Sequence, residues 1–130
     1  MINLDESYAP ITEPPSFEHG ELVKHLKYDY RGVVVHCDPQ CEANEAWYKS
    51  NQTQPAKDQP WYHVLVHLEA HVTYAAQCNL IRDDSVEAVL HPMVSLFFSG
   101  FENGRYLRNA VPWNPGSPPD DSPPTPPPAI

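Results

Sequence analysis

Gln59-Pro60-Trp61-Tyr62-His63-Val64-Leu65-Val66 is the stretch on which the fold turns. Tyr62, Val64 and Val66 fall on one face at period two, and Trp61, His63, Leu65 and His67 fall on the other. The first face is apolar and the second mixes apolar with titratable groups. That pattern suits a strand with one wet surface in a small barrel or sandwich. Pro60 has no N–H to give a ladder, so pairing is expected to begin after it.

On either side the same short-strand pattern repeats. Residues 21–25 and 31–37 read as two earlier strands joined by a turn at 27–30. Val33-Val34-Val35 is a β-branched run that favours strand over helix. Gly32 within it signals a bulge or a close backbone approach, and Asp38-Pro39 ends it. Residues 42–49 form a weak helix with Trp47 and Tyr48 as anchors, and 50–59 a polar loop. Downstream, 72–76 returns as a strand and 79–81 adds a short piece. Asp83-Asp84-Ser85 caps a turn or short helix reaching Leu90. Pro92 suits the first position of a helix over 93–98; Gly100 and Gly104 mark its exit, and 105–107 is a last strand. Short strands with tight turns and one terminal helix predict a mainly β fold, a small SH3-like barrel.

Composition divides the chain in three. Nine of the sixteen prolines lie between Pro112 and Pro128, and that run carries one large apolar side chain, Trp113. Such a segment buries too little surface to offset the entropy of ordering, so 110–130 reads as a disordered or polyproline-like tail. Residues 1–16 are acidic and hold Pro10, Pro14 and Pro15, which reads as a loose arm. The folded domain is expected over 17–109, with eight Lys/Arg against twelve Asp/Glu, a net −4 out of −9 for the whole chain. An acidic chain lacks the broad basic footprint of a DNA-coating protein, though a local basic patch stays open. Cys37, Cys41 and Cys78 are an odd count without a basic-then-apolar start, so reduced thiols in a cytoplasmic protein are expected. No run approaches the length of a membrane span.

Four segments in series resemble the HspQ/YccV family, also called the hemimethylated-DNA-binding domain family. The first is Lys24-His25 with Tyr28-Asp29-Tyr30-Arg31-Gly32-Val33-Val34-Val35 and Asp38-Pro39, and the second is Gln59 to Val66. The third is Thr73-Tyr74-Ala75-Ala76 with Asn79-Leu80. The fourth is His91-Pro92 with Phe97-Phe98, Phe101 and Gly104-Arg105-Tyr106. A similar domain closes certain F-box proteins and occurs in a plastid Clp-protease adaptor. The resemblance implies an SH3-like β-barrel without catalytic activity. It implies two kinds of work: steering substrates to AAA+ proteases as a heat-shock factor, and binding hemimethylated origin DNA. The chain departs from the pattern at Cys78, and at His67, Leu68 and His71, where relatives tend to carry acidic residues.

Several constellations carry possible chemistry. His63, His67 and His71 are spaced by four, which on a helix is a metal-binding face. On a strand, His63 and His67 stand about 13 Å apart at ~3.3 Å per residue, which speaks against a shared ion. Cys37-x-x-x-Cys41 is interrupted by Asp38-Pro39 and reads as two small buried thiols. Cys37 beside His36 does not make a nucleophile pair, because strand neighbours point to opposite faces. No metal, cofactor or catalytic residue is assigned.

For DNA or a protein partner, the candidate contacts are Lys24, His25, Lys27, Arg31, Trp61, His63 and Arg105. If the first and last strands pair, Arg105 and Arg108 join the cations of the first hairpin in one patch; the plainer alternative has Arg31 and Arg105 paired with nearby carboxylates. Gln59 with Trp61, or Gln77 with Tyr74, offers the amide and apolar surface an adenine reader needs. Trp47, Tyr48, Trp61 and Tyr62 exceed what a small core requires, so an aromatic peptide groove is the competing expectation, with at least two of the four buried. Pro124-Thr125-Pro126-Pro127 fits Pro-x-x-Pro and is read first as spacer. An AAA+ protease or its substrates are the expected partners, DNA the alternative, and self-association is open.

Overall fold

Every residue of Trp61–Val66 is buried, so this strand, β3, has no wet face. The reason lies in what surrounds it. Strands β1 (Leu22–His25), β2 (Arg31–Asp38), β4 (Val72–Ala76) and β5 (Leu80–Arg82) join β3 in one antiparallel sheet, ordered β4-β3-β2-β1-β5. The computed structural model describes residues 13–51 and 54–113. Positions 1–12 of the expected arm and 114–130 of the expected tail lie outside them.

The alternation expected for β3 holds. Tyr62 and Val64 pack with Phe17, Val23, Val34, Ala75 and Leu80. Leu65 faces the other way, into Leu22, Val33, Val35, Val89, Phe97, Phe98 and Tyr106. Trp61 meets Tyr74 and Ala76 under Trp47 and Tyr48. Trp61 and Tyr62 are fully buried, and Trp47 and Tyr48 lie edge-on against Trp61 at 6.3 Å. Of the four aromatics, two are therefore core and two roof it. Helix α1 (Glu45–Lys49) carries that roof, and Asn44 Oδ1 caps it by accepting from Trp47 N at 2.8 Å.

The ladder is open. The expected closed barrel is not formed by hydrogen bonding, because β4 and β5 are its two edges and do not pair with each other. Yet only a three-residue 3-10 turn, Gln77–Asn79, separates them in the chain. Four flat strand spacings of ~4.8 Å come to about 19 Å. The four Cα steps from Ala76 to Leu80 reach at most about 14 Å even when extended. The sheet must therefore roll to bring its edges near. A bulge between Val34 and His36 in β2 supplies part of the bend.

A second sheet covers the Leu65 side. Helix α2 (Val94–Phe97) is a single turn, and β6 (Phe98–Glu102) and β7 (Arg105–Arg108) form a hairpin. The expected helix over 93–98 is thus shorter, and its exit is a strand. Asn103 and Gly104 both have positive φ, 55° and 77°, as a two-residue hairpin turn requires. The hairpin docks through Tyr106 N to Gly20 O at 2.9 Å and Arg108 Nε to Val35 O at 3.0 Å. Packing also reaches past 17–109. Gln77 Nε2 donates to Glu13 Oε2 at 2.8 Å, and Trp113 lies against Phe97 with 5.4 Å between rings. Gly32 is a close approach: a Cβ there would sit 2.4 Å from Leu65 O. The bulge falls beyond it, at Val35.

Candidate functional site

The candidate contacts do not converge. Lys24 is exposed and lies 3.3 Å from Asp29 Oδ1. His25 is buried, and its Nδ1 accepts from Lys27 N and Tyr28 N at 3.1 Å, which locks the β1–β2 turn and leaves Lys27 exposed on it. Arg31 Nε donates to Asp83 Oδ2 at 2.7 Å, and its other nitrogens reach the carbonyls of Glu87 and Ala88. Trp61 is core, donating from Nε1 to Ala56 O at 3.2 Å. Arg105 pairs with Glu18 and Glu21, and Glu21 also takes Arg82 at 3.3 Å. Gln59 Oε1 accepts from Cys78 N, and Gln77 holds Tyr62, Ser16 and Glu13. Both amides are thus engaged within the domain.

The metal candidates are also dispersed. His67 Nδ1 accepts from Leu90 N at 3.0 Å, His71 is exposed near Glu69, and His63 is buried. Among the described residues no His/Cys/Asp/Glu group is arranged to hold a metal. Cys37 and Cys41 are half-buried free thiols, and burial pushes Cys37 up to about 11, which favours the neutral thiol at neutral pH.

The polar centre of the domain lies elsewhere, at the end of β2. The bulge at Val35 is the local cause: it sets His36 opposite His63, the two rings 5.6 Å apart. Asp38, two residues on, shares the face of His36. Its Oδ1 stands 3.2 Å from His36 Nε2, and its Oδ2 stands 2.6 Å from Tyr74 Oη and 3.4 Å from His63 Nε2. Although partial burial opposes ionisation of Asp38, the donors from His36, His63 and Tyr74 prevail and hold its carboxyl well below the usual range. Burial lowers His63, only partly offset by Asp38. A neutral ring facing a carboxylate carries its proton on Nε2, which leaves Nδ1 as an acceptor. Nothing meets it: His63 Nδ1 is buried without a partner, and so is Trp113 Nε1 on the adjacent ring. Their centroids are 5.1 Å apart.

Sequence reasoning missed Asp38 as a hub and read it only as a strand terminator. The available signal was His36-x-Asp38, one face of a strand end. It missed Trp113 because proline-rich surroundings masked it.

This wiring makes stability pH-dependent. His91 Nδ1 accepts from Met93 N at 3.0 Å and its Nε2 donates to His71 O at 3.0 Å, so the neutral ring is fully used. Burial lowers both His63 and His91. A group whose folded pKa is depressed gives stability above its unfolded value, about 6.5 for histidine, and loses it as pH falls through the folded value. The unfolding free energy is therefore expected to drop between about pH 7 and 5, by on the order of 1 kcal/mol. A flat profile across that window would contradict the assignment.

Comparison with known proteins adds identity to this geometry. The family model described as hemimethylated DNA-binding protein YccV like matches residues 15–105. F-box only protein 21 from Homo sapiens, Mus musculus and Pongo abelii is 33% identical over 94 residues. The match covers 70% of this chain and 15% of each relative. No solved structure matches. No helix of the described residues is long and apolar enough to cross a membrane.

Proposed function

This chain belongs to the YccV-like, hemimethylated DNA-binding protein family, and from that premise we propose that it is a non-catalytic, cytoplasmic binding module that engages a protein partner. In detail it acts as an adaptor or specificity factor for an AAA+ protease. We read the rolled sheet, with its short 3-10 link between edge strands, as an SH3-like arrangement.

The supporting observation is where the cations go. All four arginines are spent inside the domain: Arg31 on Asp83, Arg82 and Arg105 on Glu21, and Arg108 on the carbonyls of Val35 and Val111. Of the lysines, Lys24 faces Asp29, while Lys49 and Lys57 face Glu45. A duplex needs free cations to displace its counterions, and few are on offer. Exposed aliphatics are more plentiful, Leu68 at 69% and Leu90 at 61% among them.

The second reading, a reader of hemimethylated DNA at replication origins, draws on the family's description and on Lys24 and Lys27 at the first turn. One pair of measurements separates the two. For the adaptor, added protein speeds turnover of selected substrates by an AAA+ protease, and no rate change across several substrates overturns it. For the DNA reader, hemimethylated duplex binds more tightly than unmethylated, and log affinity falls with log salt at a slope near −2, about −0.9 per lysine contact. We expect acceleration of turnover and no duplex discrimination at low salt.

A further inference from the structure

The His63–Trp113 contact is a filled slot whose shape and polarity disagree. Trp113 lies between the rings of His63, at 5.1 Å, and Phe97, at 5.4 Å. It is only half-buried, so the slot opens to solvent on one side. Indole N–H can only donate, and His63 Nδ1 beside it is an acceptor. The two nevertheless do not meet, and each is sealed without a partner. Buried polar atoms are nearly always paired, and an unpaired one destabilises the arrangement that strands it. Here both strand together because of how one indole is turned.

That indole sits at the end of a short strap, residues 109–113, whose root is tightly fastened. Arg108 Nη1 donates to Val111 O at 2.7 Å, and Asn109 Oδ1 accepts from Val111 N at 2.9 Å. Asn109 Nδ2 donates to Leu96 O at 3.0 Å. The strap is held by its root, while its aromatic end fills the slot without satisfying it.

We propose that the slot between His63 and Phe97 is a docking site for a tryptophan in an extended segment of a partner protein, and that Trp113 is its tethered internal competitor. The chain's own Pro112-Trp113 displays the chemistry of the occupant: a planar indole carried on a preceding proline. A free segment is not bound by the strap's root, so it can turn its N–H onto His63 Nδ1 and satisfy both atoms at once. His36 and Tyr74, flanking His63 at 5.6 and 4.5 Å, hold that ring in place, and Asp38 fixes its tautomer. The inference rests on the protein-binding reading above. Its readout involves neither protease nor DNA, so either can fail without the other.

The test uses the full chain and the peptide acetyl-Asn-Ala-Val-Pro-Trp-Asn-amide, titrated by calorimetry. Trp113→Ala should bind one peptide per chain at least about tenfold more tightly than wild type, where the tethered ring competes. A peptide carrying 1-methyltryptophan should bind Trp113→Ala about tenfold more weakly, the effect of one buried hydrogen bond. Adding His63→Phe should erase the difference between the two peptides. If Trp113→Ala does not fold, Asn109→Ala loosens the root and keeps the slot, and must bind the peptide more tightly than wild type. Equal binding to wild type and variant, no binding to either, or indifference to indole methylation overturns the proposal.

Discussion

Gly20→Ala is expected to destabilise the domain by about 3–4 kcal/mol, a fall of roughly 15–25 °C in its unfolding midpoint. Gly20 has φ +97°, a conformation that side-chain-bearing residues rarely adopt. A Cβ there would stand 2.1 Å from the backbone oxygen of Tyr106, which has no side-chain freedom with which to yield. The position is also a junction. Gly20 N donates to Val34 O at 2.8 Å, and Gly20 O accepts from Tyr106 N at 2.9 Å. Strain and lost docking therefore fall on the same residue. Gly100→Ala is the control: its Cβ would lie 3.4 Å from Leu107 Cδ1, an ordinary contact, and its effect should stay within about 1 kcal/mol. Thermal melts of the two variants side by side decide the matter, and equal midpoints would refute the junction.

Asp38→Ala should cost about 2–4 kcal/mol near pH 7, because it removes the one carboxylate toward which three side chains turn. Tyr74 Oη still accepts from Glu42 N at 2.9 Å but loses its own acceptor. His63 fares worse. Its Nδ1 already lacks a partner, and now Nε2 does too. The pH profile should change in two opposite ways. The folded pKa of Asp38 is depressed, so its share of stability is present above the unfolded value of about 3.9 and lost as pH falls below it. That acid limb flattens in the variant. Asp38 also holds up the depressed pKa of His63, so without it the loss below about pH 6.5 grows. A double-mutant cycle with Tyr74→Phe should show a coupling energy of about 0.5–3 kcal/mol; additive effects would mean the hydroxyl and carboxylate act separately.

Much of the sheet was legible because period-two patterning is local. The β3 faces, with Tyr62 and Val64 together and Trp61, His63 and Leu65 opposite, follow from alternation alone. What alternation does not reveal is whether a second layer covers the other face, and the β6–β7 hairpin does so here. That hairpin was readable in part. Asn103-Gly104 is a strong two-residue turn signal, but Phe97-Phe98 after Pro92 reads equally well as helix. The candidate site was the least legible part. Residues 36 and 63 meet because of one extra residue at Val35, and a bulge leaves no mark in hydrophobic periodicity. The cations were chosen by type, and type does not tell whether a neighbouring carboxylate has already claimed them. Arg31 with Asp83 and Arg105 with Glu18 are separated by 52 and 87 positions in the chain.

The docking of Tyr106 on Gly20 also decides what the sheet shows to solvent. The side that carries Leu22, Val33, Val35 and Leu65 is covered by Val89, Phe97, Phe98 and Tyr106. Release of the hairpin would bare that face, and a contiguous apolar patch is the kind of surface to which other proteins adhere.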